Sequence, residues 1–175
     1  SNVEQAQTIA HLDDLAISLL RKFSPGPLTL VLPKKSVVPD LVTSGHPTVA
    51  IRIPNHPVAL EVLRQSGLCI AAPSANPFGY TSPTTAQHVE EFLGPRIDAV
   101  LDGGTCDVGI ESTIIDLSGK RPKVLRLGGL PYEALTEVLG ELPLQMSSST
   151  PNAPGMLISH YNPGISLRLF KSYSA

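Results

Sequence analysis

Two arginines interrupt apolar runs in this chain. Arg52 sits in Val49-Ala50-Ile51-Arg52-Ile53 and Arg126 in Val124-Leu125-Arg126-Leu127, while Ser112 and Thr113 stand beside Ile114-Ile115. An unpaired guanidinium is too costly to strip of water. Either each arginine turns to solvent by strand alternation, or pairs with a carboxylate such as Glu111 or Asp116, or both line one cleft. In the cleft arrangement the planar fork would bind phosphate or carboxylate. A second candidate is the stretch from Ala71 to Thr85, where an apolar run gives way to small, hydroxyl and amide residues. Ligands of open α/β sheets bind beyond the carboxyl ends of strands. Ser74, Asn76 and Ser82 can hydrogen-bond such a ligand, and small neighbours let it reach the backbone. Helix capping by Ser82 or Thr84 accounts for those two residues but not for Pro73-Ser74-Ala75-Asn76.

Other chemistry is poorly supported. Gly103-Gly104-Thr105-Cys106-Asp107-Val108-Gly109 is glycine-rich, yet neither GxxxxGK[ST] nor GxGxxG occurs, and such a stretch is most simply a turn. The five histidines (His11, His46, His56, His88 and His160) lack metal-ligand spacing, and there is no GxSxG elbow. Cys69 and Cys106 form no CxxC pair; Cys69, inside Leu68-Cys69-Ile70-Ala71-Ala72, reads as a small buried hydrophobe in a reduced, cytosolic protein.

These residues need a scaffold, and the composition narrows which. Of 175 residues, 13 are Lys or Arg and 15 Asp or Glu, a net charge of −2 that excludes a strongly basic nucleic-acid coat or an acidic tail. Seventeen prolines leave few gaps for long helices and exclude a coiled coil or plain bundle. With 42% hydrophobic residues, the chain can build one core. No apolar run approaches the ~18 residues of a membrane span, and no membrane partner is expected.

Apolar spacing predicts an amphipathic helix over 3–23, then strands at 28–32 and 48–53 and a helix at 57–65. A buried strand at 68–72 and a helix at 84–93 follow. Strands at 99–101, 112–117 and 124–127 and a helix at 132–139 complete an α/β layer pattern. Beyond Pro143, Ser147-Ser148-Ser149-Thr150-Pro151 has linker composition.

Several of these blocks together resemble the YrdC/YwlC family. They are Ser24 to Leu32, Thr48 to Pro54 with His56-Pro57, Ala72-Pro73-Ser74-Ala75-Asn76 and Ser82-Pro83-Thr84-Thr85-Ala86. Leu101-Asp102-Gly103-Gly104, Glu111-Ser112-Thr113 with Asp116, and Val124-Leu125-Arg126 complete the set, in family order over roughly 20–140. The resemblance implies an α/β fold with a twisted, mixed open sheet, helices packed on it, around a basic cleft. It implies synthesis of L-threonylcarbamoyladenylate from L-threonine, bicarbonate and ATP, with release of pyrophosphate. A separate threonylcarbamoyl transferase system then modifies adenosine 37 of tRNA. A non-catalytic RNA-binding or ribosome-associated module of the same fold, and related carbamoyl-adenylate chemistry on another acceptor, are the alternatives.

Carried over by motif, Thr48, Ser74, Asn76, Ser82 and Arg126 are ATP-site residues, and Arg52, Ala72 and Ser112 are L-threonine contacts. No side-chain nucleophile and no protein metal ligand is implied; Mg²⁺ is expected on the triphosphate. Ala153-Pro154-Gly155-Met156 and His160-Tyr161-Asn162-Pro163 resemble the linker of longer members, which makes His160 and Tyr161 further ATP contacts. The expected division is a YrdC-like catalytic domain at 1–143 and a linker or tail at 144–175 leading toward a C-terminal domain. Residues 1–23 lack the family's PTET-like motif and K-x-R pair. The expectation is therefore that this chain lacks the N-terminal part of that domain, and that alone it binds ATP weakly and makes no adenylate.

Overall fold

A computed structural model describes residues 1–145. His160 and Tyr161 lie outside the described residues. The Leu28–Pro33 strand (β1) is the axis of the fold because five of its six residues are buried. Antiparallel to it runs β2 (Thr48–Ile51), with Leu30 opposite Ile51 and Pro33 opposite Thr48. On its other side β3 (Thr113–Asp116) is parallel, with Leu28 opposite Thr113. The antiparallel β4 (Lys123–Arg126) completes the order β2-β1-β3-β4. The sheet is therefore mixed, as expected for an α/β fold.

Strand alternation divides the core between two faces. Leu28, Leu30 and Leu32 share a cluster with Ala6, Ala16, Leu19, Leu20, Ile115 and Leu135, so the helices α1 (Val3–Ile9), α2 (Asp14–Phe23) and α5 (Tyr132–Leu139) cover that face. Val31, Ile114 and Leu125 form the smaller cluster opposite. Two further helices, α3 (Pro57–Ser66) and α4 (Ala86–Leu93), bury none of their residues fully.

The structure corrects several expectations. The helix predicted over 3–23 is two helices. Ala10 is extended and bridges Lys34, and His11 donates its N–H to the Pro33 carbonyl at 2.9 Å. Asp13 then caps α2 by accepting from the Ala16 N–H at 2.8 Å. Backbone groups that a continuous helix would use internally are instead bonded to the end of β1. The strand predicted over 48–53 stops at Ile51. Pro54 lacks a ladder donor and restricts the residue before it.

No strand forms at 68–72 or 99–101, since an extended segment needs a neighbour for its ladder and neither has one among the described residues. Leu68, Ile70 and Leu101 are exposed, and so is Cys69, contrary to its reading as a buried residue. At α4 the capping side chain is Thr85, which accepts from the His88 N–H at 3.2 Å, rather than Ser82 or Thr84.

The cap at Asp13 is testable. Asp13→Ala should lower stability to urea by about 0.5–2 kcal/mol, the usual loss for such a cap. An unchanged or raised midpoint would favour one continuous helix through residues 10–13.

Candidate functional site

The register of the sheet gathers the polar interruptions at one end. Residue 52 follows Ile51, which faces Leu30, and Ser112 precedes Thr113, which faces Leu28. Arg126 pairs with Ile114 at a register shift in the β3–β4 ladder. All three residues therefore stand where β1 and β3 begin and where β2 and β4 finish. The sequence pattern hangs its second candidate, the loop after residue 72, on a buried strand. Residues 68–72 are not a strand, so that loop lacks the support expected for it, whereas Arg126 ends β4 and Arg52 directly follows β2, the two antiparallel outer strands.

Ser112 is the node of this end. It is 5% exposed, and its hydroxyl lies 2.6 Å from the Thr29 hydroxyl. Arg126 donates from Nε to the Ser112 carbonyl at 3.0 Å and from Nη2 to the Ser112 hydroxyl at 3.2 Å. Its Nη1 faces Glu111 Oε2 at 3.7 Å, in an ion pair whose side chains are 14% and 27% exposed. The other carboxylate oxygen of Glu111 accepts from the Ser82 hydroxyl at 2.8 Å. Arg52 is oriented separately, by donating from Nε to the Gly26 carbonyl at 3.0 Å. Partial burial, then repulsion from Arg126, draws the Arg52 pKa below its ordinary value, against a raising influence from Cys106. The two guanidiniums thus feel one another.

Glycine makes the backbone approach possible. A Cβ on Gly128 would lie 2.3 Å from the Glu111 carbonyl oxygen and 2.5 Å from the Ser112 carbonyl carbon. The next residue, Gly129, donates its N–H to the Glu111 carbonyl at 2.8 Å. Gly26 is constrained in the same way, since a Cβ there would lie 2.5 Å from the Phe23 carbonyl oxygen.

Of the residues expected at the site, Arg126, Ser112 and Ser82 are joined by this network, and Arg52 is coupled to it electrostatically. Ala72 and Ser74 are exposed beside it in sequence, on the loop leading to Ser82. The Ser74 carbonyl accepts from the Asn76 N–H at 2.6 Å, and the Asn76 amide donates to the Pro77 and Tyr80 carbonyls at 2.8 and 3.2 Å. Asn76 Oδ1 is buried with no partner among the described residues. Thr48 begins β2 opposite Pro33, at the far end of that strand from Arg52. Two residues of the site go beyond the sequence reading: Thr29, which it does not single out, and Glu111, which it treats only as a neutralising partner. Thr29 is a polar residue within an apolar run but, unlike Arg52, carries no charge to mark it.

Chemically, two guanidiniums, one held by a backbone carbonyl and the other by a carbonyl and a hydroxyl, can each orient an anionic group. No group of three or more histidine, cysteine or acidic residues able to hold a metal occurs among the described residues.

Comparison with known proteins is specific. Residues 1–128 match the Sua5_yciO_yrdC family model, described as "Telomere recombination". Residues 130–175 match the model described as threonylcarbamoyl-AMP synthase, C-terminal domain. A Pyrococcus abyssi protein named threonylcarbamoyl-AMP synthase is 45% identical over 169 residues, covering 93% of this chain and 50% of the relative. One from Bacillus subtilis is 43% identical, covering 89% and 48%. The crystal structure of P. abyssi Sua5 complexed with L-threonine aligns with a TM-score of 0.88 at 45% identity, over 92% of this chain and 49% of that one. The chain spans about half the length of the curated relatives it matches.

Two measurements test the framework of the site. Gly128→Ala should destabilise the chain by about 1–3 kcal/mol, because the methyl group must push β3 away from the Gly128 backbone. Unchanged stability would mean that the close approach is not required. A double-mutant cycle of Thr29→Val and Ser112→Ala should give a coupling of about 0.5–3 kcal/mol in unfolding free energy. Strict additivity would show that the two hydroxyls do not support one another.

Proposed function

The chain belongs to the Sua5/YciO/YrdC family, and from that premise we propose that it carries a substrate-binding part of an L-threonylcarbamoyladenylate synthase. The observation that carries this reading is the pair of arginines gathered with Ser112 at one end of the sheet, in a chain 45% identical to a Sua5 crystallised with L-threonine. Arg52 would receive the threonine carboxylate, with the Ser112 hydroxyl and the backbone beside Ala72 completing that contact. Arg126 would face the nucleotide phosphates, with Ser74, Asn76, Ser82 and Thr48 around the rest of ATP. Among the described residues, Arg52 and Arg126 with the ion-paired Glu111 support a locally basic cleft.

The chemistry requires no nucleophilic side chain. The threonine nitrogen bonds to the carbon of bicarbonate, one C–O bond breaks with loss of water, and an oxygen of the resulting carbamate attacks the α-phosphorus of ATP. The bond to the oxygen bridging the β-phosphate breaks, and pyrophosphate leaves. Held cations that orient these anions and meet the charge developing at phosphorus are what the residues supply. Mg²⁺ fits as an ion held by phosphate oxygens and water, since the described cluster offers a single carboxylate, Glu111, rather than a cage.

We assign residues 1–143 to the YrdC-like catalytic domain and 144–175 to a linker toward a C-terminal domain. The packing of Leu135 into the main core supports keeping α5 with the first unit. His160 and Tyr161 would reach the nucleotide from that linker. The downstream partners would be the threonylcarbamoyl transferase system and tRNA, in the cytoplasm. Among the described residues no helix is long and apolar enough to cross a membrane.

The reading is tested by pyrophosphate release from ATP by the full-length protein, which should require both L-threonine and bicarbonate. Charge-assisted contacts of ~1.5–3 kcal/mol predict a loss of about 10- to 100-fold in kcat/KM for Arg52→Ala and for Arg126→Ala. The first should raise mainly the KM for threonine and the second mainly that for ATP. Wild-type kcat/KM in both variants would sink the site assignment.

A further inference from the structure

We propose that Glu111 is a positioning residue for nucleotide binding, one that ties the Ser82 loop to the Arg126 guanidinium. The proposal rests on the synthase reading above and adds a role for a residue placed next to the substrates' arginine. Glu111 divides its carboxylate between two elements distant in the chain: Oε1 accepts from the Ser82 hydroxyl at 2.8 Å, and Oε2 faces Arg126 Nη1 at 3.7 Å. Neither partner is its neighbour in sequence, so the bridge is a product of the fold.

The backbone beneath Glu111 is held in place. Its carbonyl accepts from Gly129, Gly128 presses against it without a side chain, and the following residue is the buried Ser112. A carboxylate with a fixed origin can fix what it touches. On one side that is Ser82, on the loop that also carries Ser74 and Asn76. On the other side it is the Nη1 edge of a guanidinium whose Nε and Nη2 are already bonded to Ser112. The separation of 3.7 Å exceeds hydrogen-bond length, so this contact acts through charge. Electrostatic attraction turns the Nη1 edge of Arg126 toward the loop that Glu111 also holds. Arg52 is oriented elsewhere, by Nε donating to the Gly26 carbonyl.

The geometry separates the two substrates, which allows a kinetic test in the full-length protein. Glu111→Gln retains an oxygen able to accept from Ser82 but loses the charge facing Arg126. It should raise the KM for ATP about tenfold, the scale of one charge-assisted contact, with the KM for threonine changed less than about twofold. In an Arg126→Lys background the same substitution should add little further loss, because its effect passes through that side chain. Glu111→Asp, which keeps the charge, should recover part of the ATP affinity. Thermal unfolding of each variant distinguishes lost positioning from lost folding. An active wild type whose Glu111→Gln variant keeps both KM values, shifts both equally, or is fully additive with Arg126→Lys overturns the role of Glu111 alone. A full-length wild type that releases no pyrophosphate under threonine and bicarbonate overturns the synthase reading and this proposal together.

Discussion

A guanidinium taken most of the way out of water must find acceptors where it lands, and Arg126 finds two of them on one residue. It binds the carbonyl and the hydroxyl of Ser112, so its position follows that of the residues at the entry to β3. Those residues are secured from three directions. Thr29 meets the Ser112 hydroxyl from β1, the Pro27 carbonyl accepts the Thr113 N–H at 2.9 Å, and the Thr113 hydroxyl donates to the Leu130 carbonyl at 2.7 Å. The parallel β1–β3 pairing, the β3–β4 register shift and the Gly128-Gly129 turn all converge on the same few backbone atoms. The apolar core supplies stability across the sheet, whereas this polar seam supplies direction at its end.

How far the fold was legible in the sequence follows from what each signal measures. The runs 28–32, 112–117 and 124–127 were readable because each is a largely apolar stretch of strand length, and each contributes a strand to the ladder. The run 68–72 carried the same signal and did not, since hydrophobicity says that a segment wants cover without saying what covers it. Leu68 and Ile70 consequently lie exposed where a buried strand was expected. The break between α1 and α2 was hidden for the opposite reason. Apolar spacing continues through residues 9–15, while the groups that end α1 are backbone atoms bonded to Pro33 and Lys35.

The candidate site was legible where a residue type conflicted with its surroundings. Arg52 and Arg126 stood out because charge does not belong in an apolar run. A pairing of Arg126 with Glu111 was visible as an option, but not that Glu111 also reaches Ser82. That link depends on the conformation of the chain between positions 82 and 111, which no local pattern encodes. Thr29 escaped notice because threonine is a common strand former, so its hydroxyl raised no conflict. Gly128 escaped because a glycine after a strand reads as a turn, whereas its use here is the absence of a side chain against Glu111 and Ser112.

The net charge of −2 gives little guide to the charge at this end of the sheet. Surface pairs such as Arg64 with Glu61 cancel one another in solvent and contribute to the sum without shaping the site. At the arginine cluster neutral acceptors do much of the orienting: the Gly26 carbonyl for Arg52, and the Ser112 carbonyl and hydroxyl for Arg126. Dipoles of this kind satisfy N–H groups and fix their direction without cancelling the charge they carry. Partial burial first, and repulsion from Arg126 second, draw the Arg52 pKa below its ordinary value, and this is the cost of leaving that charge in place. An anionic ligand relieves the repulsion as it binds, so it gains both its own contacts and the release of strain between the cations. Arginines held only by short salt bridges would have to give up those bridges first. Orientation by backbone and hydroxyl dipoles, with a carboxylate standing off at 3.7 Å, keeps two like charges close together and directed before any ligand arrives.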